Sequence, residues 1–253
     1  MRWPRFAILA LAALGNTCLI AAFGSGTALA ADLRIAVAAN FRAPLEVLVN
    51  DFAAQAGHDV AISSGATGLL YAQISRGAPF DVYLAADLAR PQTLISDGIA
   101  VKGSLQTYAR GRLVVLITPG AEGKVSAISD LGSLRRVAIA NPRTAPYGRA
   151  AEQVLAANGL DLSGRLAIMQ NVSGVVSAVQ SRAVGAGIAP RSALEDLAEL
   201  RSLDVPEHQH DPIEQGAVLL TRAADNIAAR AFLDYLASEA AQSTIRDFGY
   251  DVD

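Results

Sequence analysis

Repeatedly along this chain, a short apolar run passes through a turn of small residues into a stretch with helical spacing. Residues 33–38 are followed by a helix from about Pro44 to Ala56, with Leu45, Leu48, Val49 and Phe52 on one face. Pro44 suits a first helical turn and Gly57 a helix exit. Strand-like residues 58–63 lead to a helix over 68–76, and 80–85 to one over 91–97. Further on, 137–140 leads to a helix over 146–158, and 166–170 to one over 173–182. Residues 187–189 read as a short strand and 191–200 as a helix. The closing helices are 224–239 and a last short one through Arg246. Such βαβα order predicts α/β architecture, with parallel strands covered by helices on both faces.

Two apolar runs break the alternation, residues 108–117 and 214–220. They predict two lobes joined by two crossover strands that serve as hinges, with a cleft between. Lobe 1 takes residues 31–113 plus 215–253, and lobe 2 takes 114–214. A single doubly wound sheet is the other arrangement the pattern allows.

The first thirty residues are expected to stay out of the fold. Arg2 and Arg5 form a positive n-region, residues 6–23 are almost wholly apolar, and Ala28-Leu29-Ala30 offers a small-x-small cleavage pattern. This is the organisation of a secretory signal peptide cut after Ala30. Cys18, the single cysteine, leaves with it. Disulfides, thiolate catalysis and cysteine metal sites are then excluded together. Of 21 basic residues, removing Arg2 and Arg5 leaves 19 against 24 acidic ones, a net charge of −5. Nucleic acid is not an expected partner of such a chain.

The turns after the strands are where chemistry is expected. They are Ala38-Ala39-Asn40-Phe41, Gly65-Ala66-Thr67-Gly68, residues 141–148 and Asn171-Val172-Ser173-Gly174. Each falls at the carboxyl end of a strand and the start of a helix, where open α/β sheets bind ligands. Helix starts present N–H groups at the positive end of the dipole and so receive anions. None of the four turns carries a carboxylate. Phosphate at neutral pH retains a proton and is best met by an acceptor, whereas a fully ionised tetrahedral oxyanion needs only donors. Arg143 and Arg149 flank the third turn and read as solvated surface.

At these residues the sequence resembles the periplasmic molybdate-binding proteins of ABC transporters, through essentially all of the chain after residue 30. The resemblance is carried by residues 38–44, 65–74 and 77–87, by Ala140-Asn141-Pro142 and Ala145-Pro146-Tyr147-Gly148, and by the ending 232–236 through Phe248-Gly249-Tyr250. It implies a two-lobed periplasmic binding protein fold that closes on molybdate or tungstate and delivers it to a membrane permease. It further implies a periplasmic, monomeric carrier, not an enzyme, with no cofactor and no protein ligand on molybdenum itself. By the same resemblance the oxyanion contacts are Asn40, Thr67, Tyr147 and Val172. Asn40 and Thr67 stand where the family often has serine, and Tyr147 and Val172 act mainly through backbone N–H groups. Many members place a tyrosine hydroxyl where this chain has Pro190.

Other readings are weaker. A carrier of sulfate or phosphate would use the same kind of turns. A secreted hydrolase lacks support, since no Gly-x-Ser-x-Gly elbow occurs. His208-Gln209-His210-Asp211 has the alternation of a metal half-site, but is expected to be a solvated loop.

Overall fold

The computed structural model describes residues 32–252 apart from Asp196, Ala198 and Glu199. The expected signal peptide, residues 1–30, lies outside the described residues.

Strand β1 (Leu33–Ala38) is buried at every position but Arg34, and β2 (Val60–Gly65) and β3 (Val82–Leu84) pair parallel to it on either side. A strand covered on both faces needs an unbroken apolar run, which is what β1 supplies. Helix α1 (Arg42–Ala56) ends at Gly57, whose left-handed φ of 71° lets its N–H return to the Ala53 carbonyl. Helices α2 (Thr67–Ser75) and α3 (Ala89–Ser96) follow β2 and β3. Strand β4 (Gln106–Gly111) then closes the far side.

The second sheet repeats this plan. Strand β5 (Leu113–Ile117) is followed by β6 (Val137–Ala140), helix α4 (Pro146–Ala157), β7 (Leu166–Met169), helix α5 (Val172–Gln180), β8 (Ala186–Pro190) and β9 (Ser202–Asp204). The chain returns to the first sheet as β10 (Ile213–Leu219), then ends in α6 (Ile227–Leu236) and α7 (Glu239–Asp247). The strand orders are β2-β1-β3-β10-β4 and β7-β6-β8-β5-β9. In each, three parallel strands adjoin an antiparallel pair.

Several expected elements differ in detail. Residues 108–117 are two strands rather than one, because Gly111 pairs with Ile213 in the first sheet while Leu113 pairs with Pro190 in the second. The break falls at exposed Arg112. Residues 214–220 do not cross between sheets. Strand β10 pairs only with β3 and β4, so the return passage is residues 205–212. Among the described residues of the helix expected over 191–200, there is a 3-10 turn, Arg191–Leu194. Its first N–H is held by the Arg112 carbonyl, and by Ser202 the chain is already extended along β5 as β9. That short, half-exposed strand has no sequence signature.

Helices cover both faces of the first sheet. Phe41, Leu45, Leu48, Phe52 and Phe232 fill one side, and Leu70, Ile74, Tyr83 and Leu94 the other. A third cluster holds β5, β6 and β8 against α4 and α5 through Val115, Ile139, Val154, Val175 and Val179. Each such side chain contributes about 1.5–3 kcal/mol by burial. No helix among the described residues is long and apolar enough to cross a membrane.

Candidate functional site

The carboxyl ends of β1, β2 and β3 in one sheet and of β6 and β7 in the other face one small pocket. Its walls are Ala38, Ala39 and Asn40 after β1, then Gly65, Ala66 and Thr67 after β2, and Ala86 after β3. From the other sheet come Ala145, Pro146 and Tyr147 after β6, and Val172 after β7. The four residues expected at the site, Asn40, Thr67, Tyr147 and Val172, are therefore all among its walls. Ala86, after β3, is a wall residue outside the four expected turns, although the strand-end rule that located those turns applies equally to β3. The pocket encloses about 10 Å³, room for about one water molecule.

No charged residue lines it. More telling is how its helices begin. The N-cap position is alanine at the 3-10 turn Ala39–Phe41 (Ala38), at α2 (Ala66) and at α4 (Ala145), with no side-chain cap at any of them. Of the helices elsewhere, α6 and α7 are capped, Asn226 accepting from Ala229 N–H and Ser238 from Ala241 N–H, while α1 and α3 start at Phe41 and Leu88 without a side-chain cap. Alanine in place of Ser, Thr, Asp or Asn forgoes about 1 kcal/mol per helix. Three helix starts without caps converging on one uncharged pocket form an electropositive concavity of N–H groups. The fourth start is different, since Asn171 accepts from Gly174 N–H.

Thr67 is 2% exposed. Its Oγ1 accepts from Ala86 N–H at 3.3 Å and its carbonyl accepts from the Tyr83 hydroxyl at 2.8 Å. The Thr67 hydroxyl proton is left to donate. Asn40 behaves otherwise. Its Nδ2 donates to Gln215 Oε1 at 2.6 Å and to the Tyr250 hydroxyl at 3.1 Å, which engages both amide protons inside the protein.

Asn40 thereby belongs to a buried polar network beneath the pocket. Tyr108 donates to Gln215 Oε1 at 3.2 Å, and Gln215 Nε2 donates to the Tyr147 hydroxyl at 3.5 Å. The Tyr250 hydroxyl lies 2.7 Å from the Asn40 carbonyl and 2.9 Å from Ser192 Oγ. Ser192 lies two residues after Pro190, the end of β8. Burial pushes the Tyr147 and Tyr108 phenols well above the ordinary tyrosine range and Tyr250 up to about 12, so all three are neutral donors and acceptors at pH 7. None of these partnerships had a local signal, because they join residues 58 to 210 positions apart.

A larger, open groove of about 370 Å³ adjoins the pocket, between α1 and α5. Arg42 and Glu46 are among its walls, and it shares Ala39, Asn40 and Val172 with the smaller pocket, which has no charged wall residue. His208 and His210 lie at a 3-10 turn, Glu207–Gln209, and its exit. Among the described residues no group of three or more His, Cys, Asp or Glu side chains is placed to hold a metal ion.

Residues 33–251 match the family model described as bacterial extracellular solute-binding protein. The chain is similar to the molybdate-binding protein ModA of Azotobacter vinelandii, 40% identical over 92% of this chain and 96% of that one. Similarity to ModA of Rhodobacter capsulatus is 36% over 93% and 95% of the two chains. Among solved structures, the Azotobacter vinelandii periplasmic molybdate-binding protein superposes with a TM-score of 0.82 at 34% identity, covering 87% of this chain and 99% of that one. These relatives are substrate-binding proteins, not enzymes.

Proposed function

The chain belongs to the family of bacterial extracellular solute-binding proteins, and from that premise we propose that it captures molybdate, and tungstate with it, in the pocket between the two sheets. It works in the periplasm as a monomer and delivers the anion to the membrane permease of an ABC transporter. The observation that carries this reading is the convergence of three alanine-capped helix starts, with the Thr67 hydroxyl, on a pocket without charged side chains. Donors without acceptors suit a tetrahedral anion that has no proton to give. The Asn40 side chain is engaged elsewhere, so Asn40 contributes its backbone N–H, as do Tyr147 and Val172.

An anion enters a pocket of about 10 Å³ only when its walls separate, and is retained as they close on it. Those walls belong to different sheets, connected at Arg112 and through residues 205–212. By sheet membership one lobe runs through Arg112 and resumes at Ile213 and the other starts at Leu113, a shift of one or two residues from the expected bounds 31–113 with 215–253 and 114–214. An anion held by donors from both lobes favours their closure by its differential affinity.

Calorimetry of the protein lacking residues 1–30 against molybdate, tungstate, sulfate and phosphate tests the proposal. Molybdate and tungstate bind tightly and sulfate at least about a hundredfold more weakly, on the order of 3 kcal/mol. Equal affinity for sulfate, or no molybdate binding, refutes it.

A further inference from the structure

Gly68 and Thr144, each next to a wall residue on opposite sides of the pocket, bond directly to each other. Gly68 follows Thr67 in the first turn of α2, and Thr144 precedes Ala145, the N-cap of α4. The Gly68 N–H donates to the Thr144 carbonyl at 2.8 Å. A first-turn amide that would otherwise be open to an anion is thus engaged by the opposite wall.

The approach is tight, so that a side chain here would push the facing loop back by a few tenths of an ångström. A Cβ at position 68 would lie 3.1 Å from Thr144 Cα, from the Thr144 carbonyl oxygen and from Arg90 Nη2. Arg90, in α3, reaches the same loop. Its Nη2 is 3.4 Å from the Arg143 carbonyl while Nη1 pairs with Asp87. Two contacts therefore run from helices of the first sheet to the loop after β6 of the second.

We infer that the Gly68–Thr144 bond, backed by Arg90, is a latch that sets the separation of the pocket walls and thereby the size of oxyanion retained and its residence time. This rests on reading the pocket as the oxyanion site. Thr67 and Ala145 both line the pocket and each is one residue from the bond, so wall separation and latch length change together. The bond exists only while the walls are together, so it slows release and leaves capture nearly unaffected. A larger oxyanion that touches both walls loses more when the latch is weakened than a smaller one that never reached every donor.

Gly68→Ala, in the protein lacking residues 1–30, tests this by stopped-flow and calorimetry with molybdate and sulfate. The expected result is molybdate release faster by about tenfold, an association rate within about twofold, and a molybdate-to-sulfate affinity ratio reduced by about fivefold. Arg90→Lys keeps the charge beside Asp87 but gives up the planar fork that also reaches Arg143, and should speed release by about two- to fivefold. If Gly68→Ala does not fold, hydrogen exchange of the wild-type Gly68 amide decides, with saturating molybdate slowing it by about tenfold or more. Wild-type release rate and selectivity in Gly68→Ala, or Gly68 exchange indifferent to molybdate, overturn the latch. A wild-type protein that binds neither anion instead overturns the reading of the pocket.

Discussion

The hydroxyl of Tyr147 occupies the space in which a side chain at Gly111 would begin. A Cβ on Gly111 would stand 1.9 Å from that oxygen and 2.7 Å from the ring carbon bearing it. Gly111 ends β4 one residue before the crossing at Arg112, and Tyr147 is the second residue of α4, in the other sheet's unit. The same phenol accepts from Gln215 of β10. One side chain thereby ties a pocket wall to both strands at the crossover.

Gly111→Ala should therefore cost stability, about 1–3 kcal/mol or more from overpacking, measured by urea unfolding. Adding Tyr147→Phe removes the nearest clash and should restore part of the loss, a coupling visible in a double-mutant cycle. Tyr147→Phe alone should leave molybdate affinity within about threefold, below roughly 0.7 kcal/mol, since the proposed contact is the backbone N–H. A strictly additive pair would show that the two residues do not meet.

Thr67→Ala should weaken molybdate binding about tenfold to a hundredfold, because a hydrogen bond to a charged group contributes roughly 1.5–3 kcal/mol. It should also lower the melting temperature without ligand, since the Ala86 amide loses its acceptor. Thr67→Ser keeps both interactions and should resemble wild type in calorimetry and thermal melts. Undiminished affinity in the alanine variant would place the hydroxyl outside the site.

Asn40→Ala separates support from contact. Both amide protons of Asn40 go to Gln215 and Tyr250, so truncation should destabilise the fold by about 1–3 kcal/mol through partners left unsatisfied. The loss of molybdate affinity should be smaller than that of Thr67→Ala. The reverse ordering would mean that the Asn40 side chain turns to the anion.

The buried tyrosines give the protein an alkaline limit. Burial raises the folded-state pKa of Tyr83, Tyr108 and Tyr147 well above 10, and that of Tyr250 to about 12. The unfolded chain then releases phenolic protons first, so stability is full below about pH 10 and falls as pH rises. Tyr250 alone accounts for a loss on the order of 2 kcal/mol by about pH 12. Melting temperatures followed from pH 8 to 12 should be level and then drop, and a Tyr250→Phe variant should drop less.

The alternation of apolar runs and helical stretches determined the α/β class, and the small-residue turns marked where the walls of the pocket stand. Both are local properties. A buried parallel strand needs its apolar run whatever surrounds it, and Gly57 ends α1 through its own backbone conformation. The turns that hold Asn40, Thr67, Tyr147 and Val172 were legible for the same reason, since each stands at a strand end, whereas the choice of those four residues rests on the family resemblance.

Tertiary structure alone decided which groups at those turns remain available. Nothing near Asn40 in sequence announces that Gln215 and Tyr250 take its amide protons, nor does anything near Gly68 announce the Thr144 carbonyl. The division of residues 108–117 at Arg112 depends on the different strands that Gly111 and Leu113 find as partners. Hydrogen-bond partners far apart in sequence are chosen by packing, and packing distance has no period to read. Sequence determined where the donors are; the fold determined which of them are free.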